Sequence, residues 1–178
     1  MKNKSLILFI LLCTLLSSLP ITSFAAQTTV SDEGRFPFED VNVSSWYGDA
    51  ALYCYSNGVI SGTSKYTFDP AGKLTRAQFV TVLYNISDKG ADAYYKIPFT
   101  DVSNAAWYFN ALAWCYDNGI VSGTSPTSFS PNAYITRQEI ARMMMLYMKH
   151  KGHVVTTDTS CLDKYTDKSQ VASWGKEE

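Results

Sequence analysis

The sequence of 178 residues is poor in the side chains on which metal sites and nucleophilic catalysis depend. It holds two histidines, and three of its four cysteines, Cys54, Cys115 and Cys161, lie beyond the first 25 residues. An odd number of thiols argues against a small scaffold held together by disulfide bonds. No cluster of histidine, cysteine or acidic residues has the spacing of a ligand set or a catalytic constellation. We therefore predict no metal site, no cofactor and no enzymatic activity.

An excess of either charge is also lacking. The 15 lysine and arginine residues nearly balance the 16 aspartate and glutamate residues, so the formal net charge is −1. A chain with so little net charge has no bulk field that would attract a polyanion. We therefore expect no nucleic-acid partner. Any recognition of an anionic polymer has to rest on a few well-placed cationic groups.

Long apolar segments are confined to the N-terminus. Lys2 and Lys4 precede an apolar run over residues 6–16, and Ser23 and Ala25 are the small residues that a signal peptidase reads. The run is shorter than the roughly 20 residues that a membrane-spanning helix needs. The sequence thus predicts a signal peptide at residues 1–25, an exported chain, and no membrane span after cleavage.

The rest of the chain is dominated by an internal repeat with a constant offset of 61 residues. The segment 38–85 aligns without a gap with the segment 99–146, and 18 of the 48 paired positions are identical. Such self-similarity is the signature of a tandem duplication. The predicted organisation is a linker at 26–36, a first module at 37–87, a linker at 88–97 and a second module at 98–150.

A third copy begins near the end of the sequence. The segment 165–167 echoes the segment 99–101, and Trp174 follows at nearly the spacing that places Trp107 in the second module. We interpret residues 161–178 as the start of a third module that is truncated. If a binding groove needs two neighbouring modules, self-association could supply the missing one.

The first half of each module has the pattern of a short amphipathic helix. Apolar residues from Trp46 onward recur at the three- and four-residue spacing of one helical face, and Gly58 supplies a left-handed residue to end the helix. We predict that Ser44 and Ser45 cap its N-terminus. The second module repeats the pattern after Trp107.

The second half of each module begins a second helix. Thr75 with Gln78, and Thr136 with Glu139, have the form of capping boxes, in which the side chains at the two ends of the motif accept each other's backbone N–H groups. One helix pair of this length cannot bury both of its apolar faces. We therefore expect the modules to pack around a shared core, with very short strand pairings in the loops.

The ordered motifs Phe-x-Asp-Val, Trp-Tyr, Asn-Gly, Ser-Gly-Thr, Phe-x-Pro and Thr-Arg occur twice at fixed spacing. This pattern resembles the S-layer homology (SLH) module of bacterial cell-surface proteins. The resemblance implies a mainly α fold in which tandem helix-loop-helix modules pack as a pseudo-threefold, three-pronged helical bundle. It also implies a secreted protein of the bacterial cell wall or cell surface.

The function that the resemblance implies is a noncatalytic anchor for the cell envelope. Family members bind secondary cell wall polysaccharide, often with pyruvylated and therefore anionic sugars, or another polymer linked to peptidoglycan, in grooves between modules. The alternatives are the anchor portion of a larger enzyme that acts on the cell wall, and a helical-repeat module that binds proteins. The candidate ligand residues are Arg76, Arg137, Trp46, Trp107, Asp40, Asp101, Gly62 and Gly123.

The arginine of the Thr-Arg motif is the residue that the family uses for the anionic sugar, and it corresponds here to Arg76 and Arg137. Both arginines occupy the first position of a predicted helix, where free N–H groups and the helix dipole favour an anion. An arginine can take a carboxylate with two hydrogen bonds. The alternative is that the arginine pairs with an acid of the protein, such as Asp69. Asp40 and Asp101 similarly either contact ligand or accept backbone N–H groups in a turn.

The remaining candidates also have structural alternatives. Trp46 and Trp107 open amphipathic faces, so burial in the core is favoured over a role as a sugar platform. Gly62 and Gly123 either let a ligand approach the backbone or satisfy a positive φ, which is the commoner reason for glycine in a loop.

Two cysteines have a structural interpretation as well. Cys54 and Cys115 occupy equivalent helical positions, and we expect them to be small apolar core residues, with a disulfide between them as the alternative.

Overall fold

The computed structural model describes residues 36–87, 96–154 and 159–175. The predicted signal peptide and most of both predicted linkers lie outside these residues. Within them, every regular element is helical, which confirms the mainly α fold. The α-helices are α1 (Gly48–Ser56), α2 (Arg76–Ile86), α3 (Phe109–Asp117) and α4 (Arg137–His150). Short 3-10 helices follow at Thr159–Lys164, Lys168–Gln170 and Ser173–Gly175.

The chain divides into two compact units, one ending at Gly72 and the other beginning at Lys73. The first unit contains α1 and a small aromatic core. Phe38, Val41 and Ala51 are buried there, and partly buried aromatic rings pack against them. The ring of Phe38 meets that of Tyr55 edge to face, with 5.2 Å between centroids. Such aromatic contacts help exclude water from the interior around α1, the α-helix among the described residues of this unit.

The second unit contains α2, α3 and α4. Helix α2 packs mainly against α3, although α2 comes from the first repeat and α3 from the second. Packing across the repeat boundary confirms that the modules share a core. The largest fully buried side chains of the described residues, all in this unit, are Tyr147, Phe79, Phe129, Leu83, Leu112, Ile120, Val80 and Cys115. The pseudo-threefold arrangement of three modules stays a prediction.

The starts of α2 and α4 have the predicted capping boxes. Thr75 Oγ1 accepts the backbone N–H of Gln78 at 3.2 Å, and the Gln78 side chain accepts the Thr75 N–H at 2.8 Å. Thr136 and Glu139 repeat this exchange at 3.4 and 2.8 Å. Each box satisfies N–H groups that have no partner within the helix. The expected short pairings in the loops are present as isolated bridges, one of which joins Thr75 to Tyr134.

The start of α1 differs from the prediction. The residue before the helix is Tyr47, which makes no capping hydrogen bond through its side chain. Ser44 instead donates its backbone N–H to the side-chain oxygen of Asn42 at 2.9 Å, which forms a turn ahead of the helix. The prediction that Ser44 and Ser45 cap α1 is therefore wrong. The predicted helix ends are confirmed, because Gly58 and Gly119 have φ of +66° and +67°.

Cys54 and Cys115 are buried and form no disulfide bond, which confirms that they are core residues. The thiol of Cys115 donates to the backbone oxygen of Val80 on α2 at 3.7 Å. Burial raises the pKa of Cys115 to about 12. A thiol with so high a pKa is almost entirely protonated near neutral pH and is a poor nucleophile.

Candidate ligand-binding groove

The side chain of Arg76 is fixed by a loop of the second repeat. Arg76 is the first residue of α2, and it is only 4% exposed. Its Nε donates to the backbone oxygen of Phe129 at 2.9 Å, and its Nη2 donates to that of Ser122 at 3.2 Å. The guanidinium also lies over the Phe129 ring, 4.7 Å from the centroid. These contacts set the orientation of the guanidinium.

The third contact of Arg76 is an ion pair with Glu139. Arg76 Nη1 lies 2.5 Å from Oε1 of that carboxylate. The other carboxylate oxygen accepts the backbone N–H and the hydroxyl of Thr136 at 2.8 and 2.7 Å. Burial acts to raise the pKa of Glu139, but the hydrogen bonds from Thr136 and the charge of Arg76 outweigh it, and the pKa lies below its ordinary value. Glu139 therefore joins the start of α4 to the start of α2 as an anion.

A cavity of about 400 Å³ opens beside this ion pair. It is lined by Arg76, Ile120, Val121, Ser122, Gly123, Thr124, Glu139, Arg142, Met143, Leu146 and Trp174. We call this cavity the groove. Gly123 has no room for a side chain, because a Cβ there would collide with the backbone oxygens of Ser125 and Ser128. Close packing of its backbone, and not a positive φ, requires glycine at position 123.

Trp174, in the 3-10 helix Ser173–Gly175, forms one wall of the groove. Arg142 on α4 donates through Nη1 to the backbone oxygen of Trp174 at 2.7 Å, and its guanidinium lies 5.9 Å from the centroid of the indole ring. Gln138, one turn earlier on α4, accepts the backbone N–H of Ala172 at 3.1 Å. The side chains of Arg142 and Gln138 thus hold the residues around Trp174 against α4. The indole ring of Trp174 lies next to the guanidinium of Arg142 as a result.

Comparison with known protein families identifies this fold. The model of the S-layer homology domain matches residues 37–80 and 98–141. The chain belongs to the SLH domain family. Its two family matches end shortly after the Thr-Arg motifs that begin α2 and α4.

Several known proteins are similar to the chain over most of its length. An endoglucanase of Bacillus sp. (strain KSM-635) is 31% identical over 175 residues, which cover 98% of this chain and 18% of that protein. The surface-layer 125 kDa protein of Lysinibacillus sphaericus is 32% identical over 86% of this chain and 12% of that protein. The S-layer protein sap of Bacillus anthracis is 31% identical over 79% of this chain and 16% of that protein.

The chain therefore spans less than a fifth of the length of each of these relatives. SLH domains occur in S-layer proteins and in surface enzymes as noncatalytic anchoring modules, and they bind cell wall polymers. The SLH modules place this chain at the bacterial cell surface. Among the described residues, no helix combines the length and apolar character that crossing a bilayer requires.

The predicted aspartates of the two SLH modules hold their own loops. Asp101 accepts the backbone N–H groups of Phe129 and Ser130 at 2.9 and 2.8 Å, and Asp40 accepts those of Phe68 and Asp69 at 2.8 and 2.7 Å. Asp69 and Ser130 have φ of +61° and +58°, a region that costs free energy for residues other than glycine. The carboxylates thus stabilise a strained loop, which agrees with the interpretation of these acids as turn residues.

The same hydrogen bonds act on the acidity of these side chains. Bonds from Phe68 and Asp69 lower the pKa of Asp40. Burial acts to raise the pKa of Asp101, but the bonds from Phe129, Ser128 and Ser130 together lower it. Both aspartates are therefore anions at neutral pH.

The expectation that Trp46 and Trp107 belong to the core is wrong. They are 77% and 69% exposed. The reason is that α1 and α3 begin at Gly48 and Phe109, so each tryptophan precedes its helix and lies on a turn instead of the buried helical face.

The other predicted ligand residues differ in their surroundings. Arg137 begins α4 and is exposed, and its guanidinium makes no hydrogen bond or ion pair with the described residues. Arg76 and Gly123 are the predicted candidates of the second unit that line the groove, whereas Arg137 does not line it. In the first unit, Gly62 has φ of +79°, and a Cβ there would meet the Phe38 ring. A positive φ explains this glycine, as expected.

Three groove residues were not predicted to bind ligand. Glu139 was identified only as the capping residue of α4, although its second oxygen pairs with Arg76. Arg142 follows it by one helical turn, so the i, i+3 spacing could have indicated a shared face. Trp174 was recognised only as a marker of the third copy. Across the described ranges, no group of three or more histidine, cysteine or acidic residues is arranged to hold a metal ion.

Proposed function

We propose that the groove binds an anionic polysaccharide of the bacterial cell wall, and that the SLH modules thereby act as a noncatalytic anchor. The observation that carries this proposal is the lining of one cavity by two guanidinium groups and an indole ring, those of Arg76, Arg142 and Trp174. The volume of about 400 Å³ lies in the range of small-ligand sites. Net charge does not supply the attraction, so the placed arginines have to.

The groups that line the groove suit the parts of an acidic sugar. An indole ring offers an apolar face to the C–H groups of a pyranose. Guanidinium N–H groups pair with a carboxylate such as that of a pyruvyl ketal, and they do so more strongly where water is partly excluded. Ser122 and Thr124 add hydroxyl groups to the lining and can exchange hydrogen bonds with sugar hydroxyls.

Predicted ligand residues that do not line the groove also have roles in the proposed binding. We assign to Trp46 and Trp107 the role of stacking surfaces, because each is a large exposed ring equivalent in the repeat to the region of Trp174. Arg137 is the repeat equivalent of Arg76 and provides a second cationic group. Asp40, Asp101 and Gly62 act on ligand indirectly by shaping the loops.

Sedimentation with purified cell walls tests the proposal. The secreted form of the protein is mixed with sacculi of Lysinibacillus sphaericus, either untreated or stripped of their polymer with hydrofluoric acid. The protein should pellet with untreated sacculi and remain in the supernatant with stripped ones. Retention on stripped sacculi would contradict binding to the polymer.

A matched pair of variants ties the binding to the groove. Trp174→Ala removes the aromatic wall and should release protein from untreated sacculi. Tyr134→Ala removes an exposed ring that does not line the groove and should bind like the unaltered protein. Equal binding by the two variants would show that the polymer is held elsewhere.

A further inference from the structure

We propose that Glu139 is a built-in competitor of the ligand: its carboxylate occupies Arg76 while the groove is empty, and the carboxylate of an acidic sugar takes its place on binding. This inference rests on the proposed function, since it concerns how the same groove selects an anion. It gives Glu139 a role in setting the affinity of the groove for an anion, in addition to its role in the capping box of α4.

The two sides of the Arg76 guanidinium are held differently. Nε and Nη2 donate to backbone oxygens of Phe129 and Ser122, which belong to the protein framework. Nη1 meets the Glu139 carboxylate, whose side chain is 23% exposed against 5% for that of Arg76. The framework contacts do not depend on the carboxylate. Arg76 can therefore keep its orientation when one anion is exchanged for another.

Glu139 can give up Arg76 without uncapping α4. Its Oε2 accepts both the backbone N–H and the hydroxyl of Thr136, whereas its Oε1 pairs with Arg76. The cap and the ion pair thus use different oxygens. Losing the ion pair leaves a partly exposed oxygen that water can solvate, which limits the cost of the exchange.

The first repeat has an uncharged side chain at the position that Glu139 occupies in the second repeat. The residue equivalent to Glu139 is Gln78, whose single carbonyl oxygen accepts the N–H of Thr75 at 2.8 Å and its hydroxyl at 3.1 Å. A glutamine at this helical position therefore completes the capping box. Glu139→Gln should keep the cap of α4 while it removes the anion that faces Arg76.

The competition has a consequence for selectivity. A neutral sugar cannot replace Glu139 at Arg76, because the exchange would leave a nearly buried guanidinium without an anion. A carboxylate of the ligand replaces like with like and gains the remaining contacts of the groove. Only a ligand that carries a carboxylate should therefore make the exchange at Arg76, and its affinity should be lowered by the free energy needed to displace Glu139.

Calorimetric titration of the secreted protein tests the proposal. The probes are a 4,6-O-pyruvyl ketal of a methyl hexoside and the methyl ester of the same ketal. Glu139→Gln should bind the acid about tenfold more tightly than wild type, which corresponds to about 1.4 kcal/mol. Its affinity for the ester should not rise. An unchanged or weaker affinity for the acid, with an unchanged melting temperature, would overturn the proposal.

A control variant separates competition from an effect of net charge. Asp117→Asn removes one negative charge from an exposed position at the end of α3 and should leave the affinity for the acid unchanged. A gain equal to that of Glu139→Gln would reduce the effect to net charge and overturn the proposal.

A measurement on the wild-type protein decides the question if Glu139→Gln folds poorly. The pKa of Glu139 is followed by carbon NMR of its carboxyl group with and without the saturating acid. Loss of the ion pair with Arg76 should raise the pKa of Glu139 when the acid binds, and the ester should leave this pKa unchanged. An unchanged pKa of Glu139 with the acid bound would overturn the exchange.

The results also separate this inference from the proposed function. If the wild-type protein binds the acid but neither the tenfold gain nor the pKa change is seen, only this inference is rejected. If the wild-type protein binds neither the ketal nor the sacculi, the proposed function is rejected as well.

Discussion

Arg76 and Glu139 lie 63 positions apart in the sequence and form an ion pair with an N to O distance of 2.5 Å. Both residues belong to copies of the same helix-start motif. Arg76 is the first residue of α2 in the first repeat, and Glu139 is the third residue of α4 in the second. The motif therefore joins one repeat to the next as well as starting a helix. The groove lies where these two starts meet.

Removal of the Arg76 guanidinium should destabilise the second unit. Arg76→Met leaves the backbone oxygens of Phe129 and Ser122 and one oxygen of Glu139 without their donors. We expect a loss of about 2–3 kcal/mol in the free energy of unfolding, because hydrogen bonds to charged groups contribute about 1.5–3 kcal/mol each and solvation of Glu139 recovers part of the loss. Urea denaturation followed by circular dichroism measures this change.

The matched control for Arg76 is its repeat equivalent. Arg137→Met removes an exposed guanidinium that has no partner among the described residues, so stability should change by less than about 0.5 kcal/mol. A similar decrease in the free energy of unfolding in both variants would contradict the conclusion that Arg76 specifically connects the two repeats.

Stability should decrease in acid because of the carboxylates that hold loops and caps. The pKa values of Asp40, Asp101 and Glu139 are lowered in the folded protein, so these groups contribute stability above their ordinary pKa of about 4. That contribution is lost as the pH falls below about 4 through the folded values. Asp101→Asn should show a smaller difference in stability between pH 7 and pH 3 than wild type. An identical pH dependence would rule out this role for Asp101.

Trp46, Trp107 and Trp114 should differ sharply in their contribution to stability. Trp46→Ala and Trp107→Ala remove exposed rings and should change the free energy of unfolding by less than about 0.5 kcal/mol. Trp114→Ala opens a cavity in the core and should cost about 3–5 kcal/mol. Thermal denaturation of the three variants provides the comparison, and a large loss for Trp107→Ala would restore its interpretation as a core residue.

The thiols should react in an order set by burial. Cys161 is exposed, whereas Cys54 and Cys115 are buried and their pKa values are raised by burial. Ellman's reagent should modify one thiol of the secreted native protein quickly and the other two only on unfolding. Cys161→Ser should abolish the fast reaction. Fast modification of two thiols would contradict the burial of one of the helical cysteines.

The helical type of the elements and the starts of α2 and α4 follow from the sequence because they depend on local chemistry. Thr75 and Thr136 form their capping boxes with residues three positions away, so the motif and its structure are visible together. The start of α1 differs, because the side chain of Asn42 accepts the backbone N–H of Ser44 and forms a turn ahead of the helix. Which of several neighbouring polar side chains forms a cap or a turn depends on small free-energy differences, and a single sequence does not reveal them.

The candidate site was predictable only in part, because it is built from contacts distant in sequence. The Thr-Arg motif identified Arg76, yet its partner Glu139 comes from the next repeat and was already accounted for by its capping role. The wall of the groove depends on Arg142 holding Trp174, 32 positions away. Trp46 and Trp107 are exposed and not buried as predicted, because a shift of the helix start by two residues moves a side chain off the buried face.

The central claim is that an acidic wall polysaccharide binds in the groove beside Trp174. The chain has four tryptophans, so their indole N–H signals provide a compact NMR readout. On titration of the ¹⁵N-labelled protein with acidic oligosaccharide from the wall polymer, the signal of Trp174 should shift to saturation while that of buried Trp114 stays in place. Saturable binding with no shift of Trp174 would contradict the account.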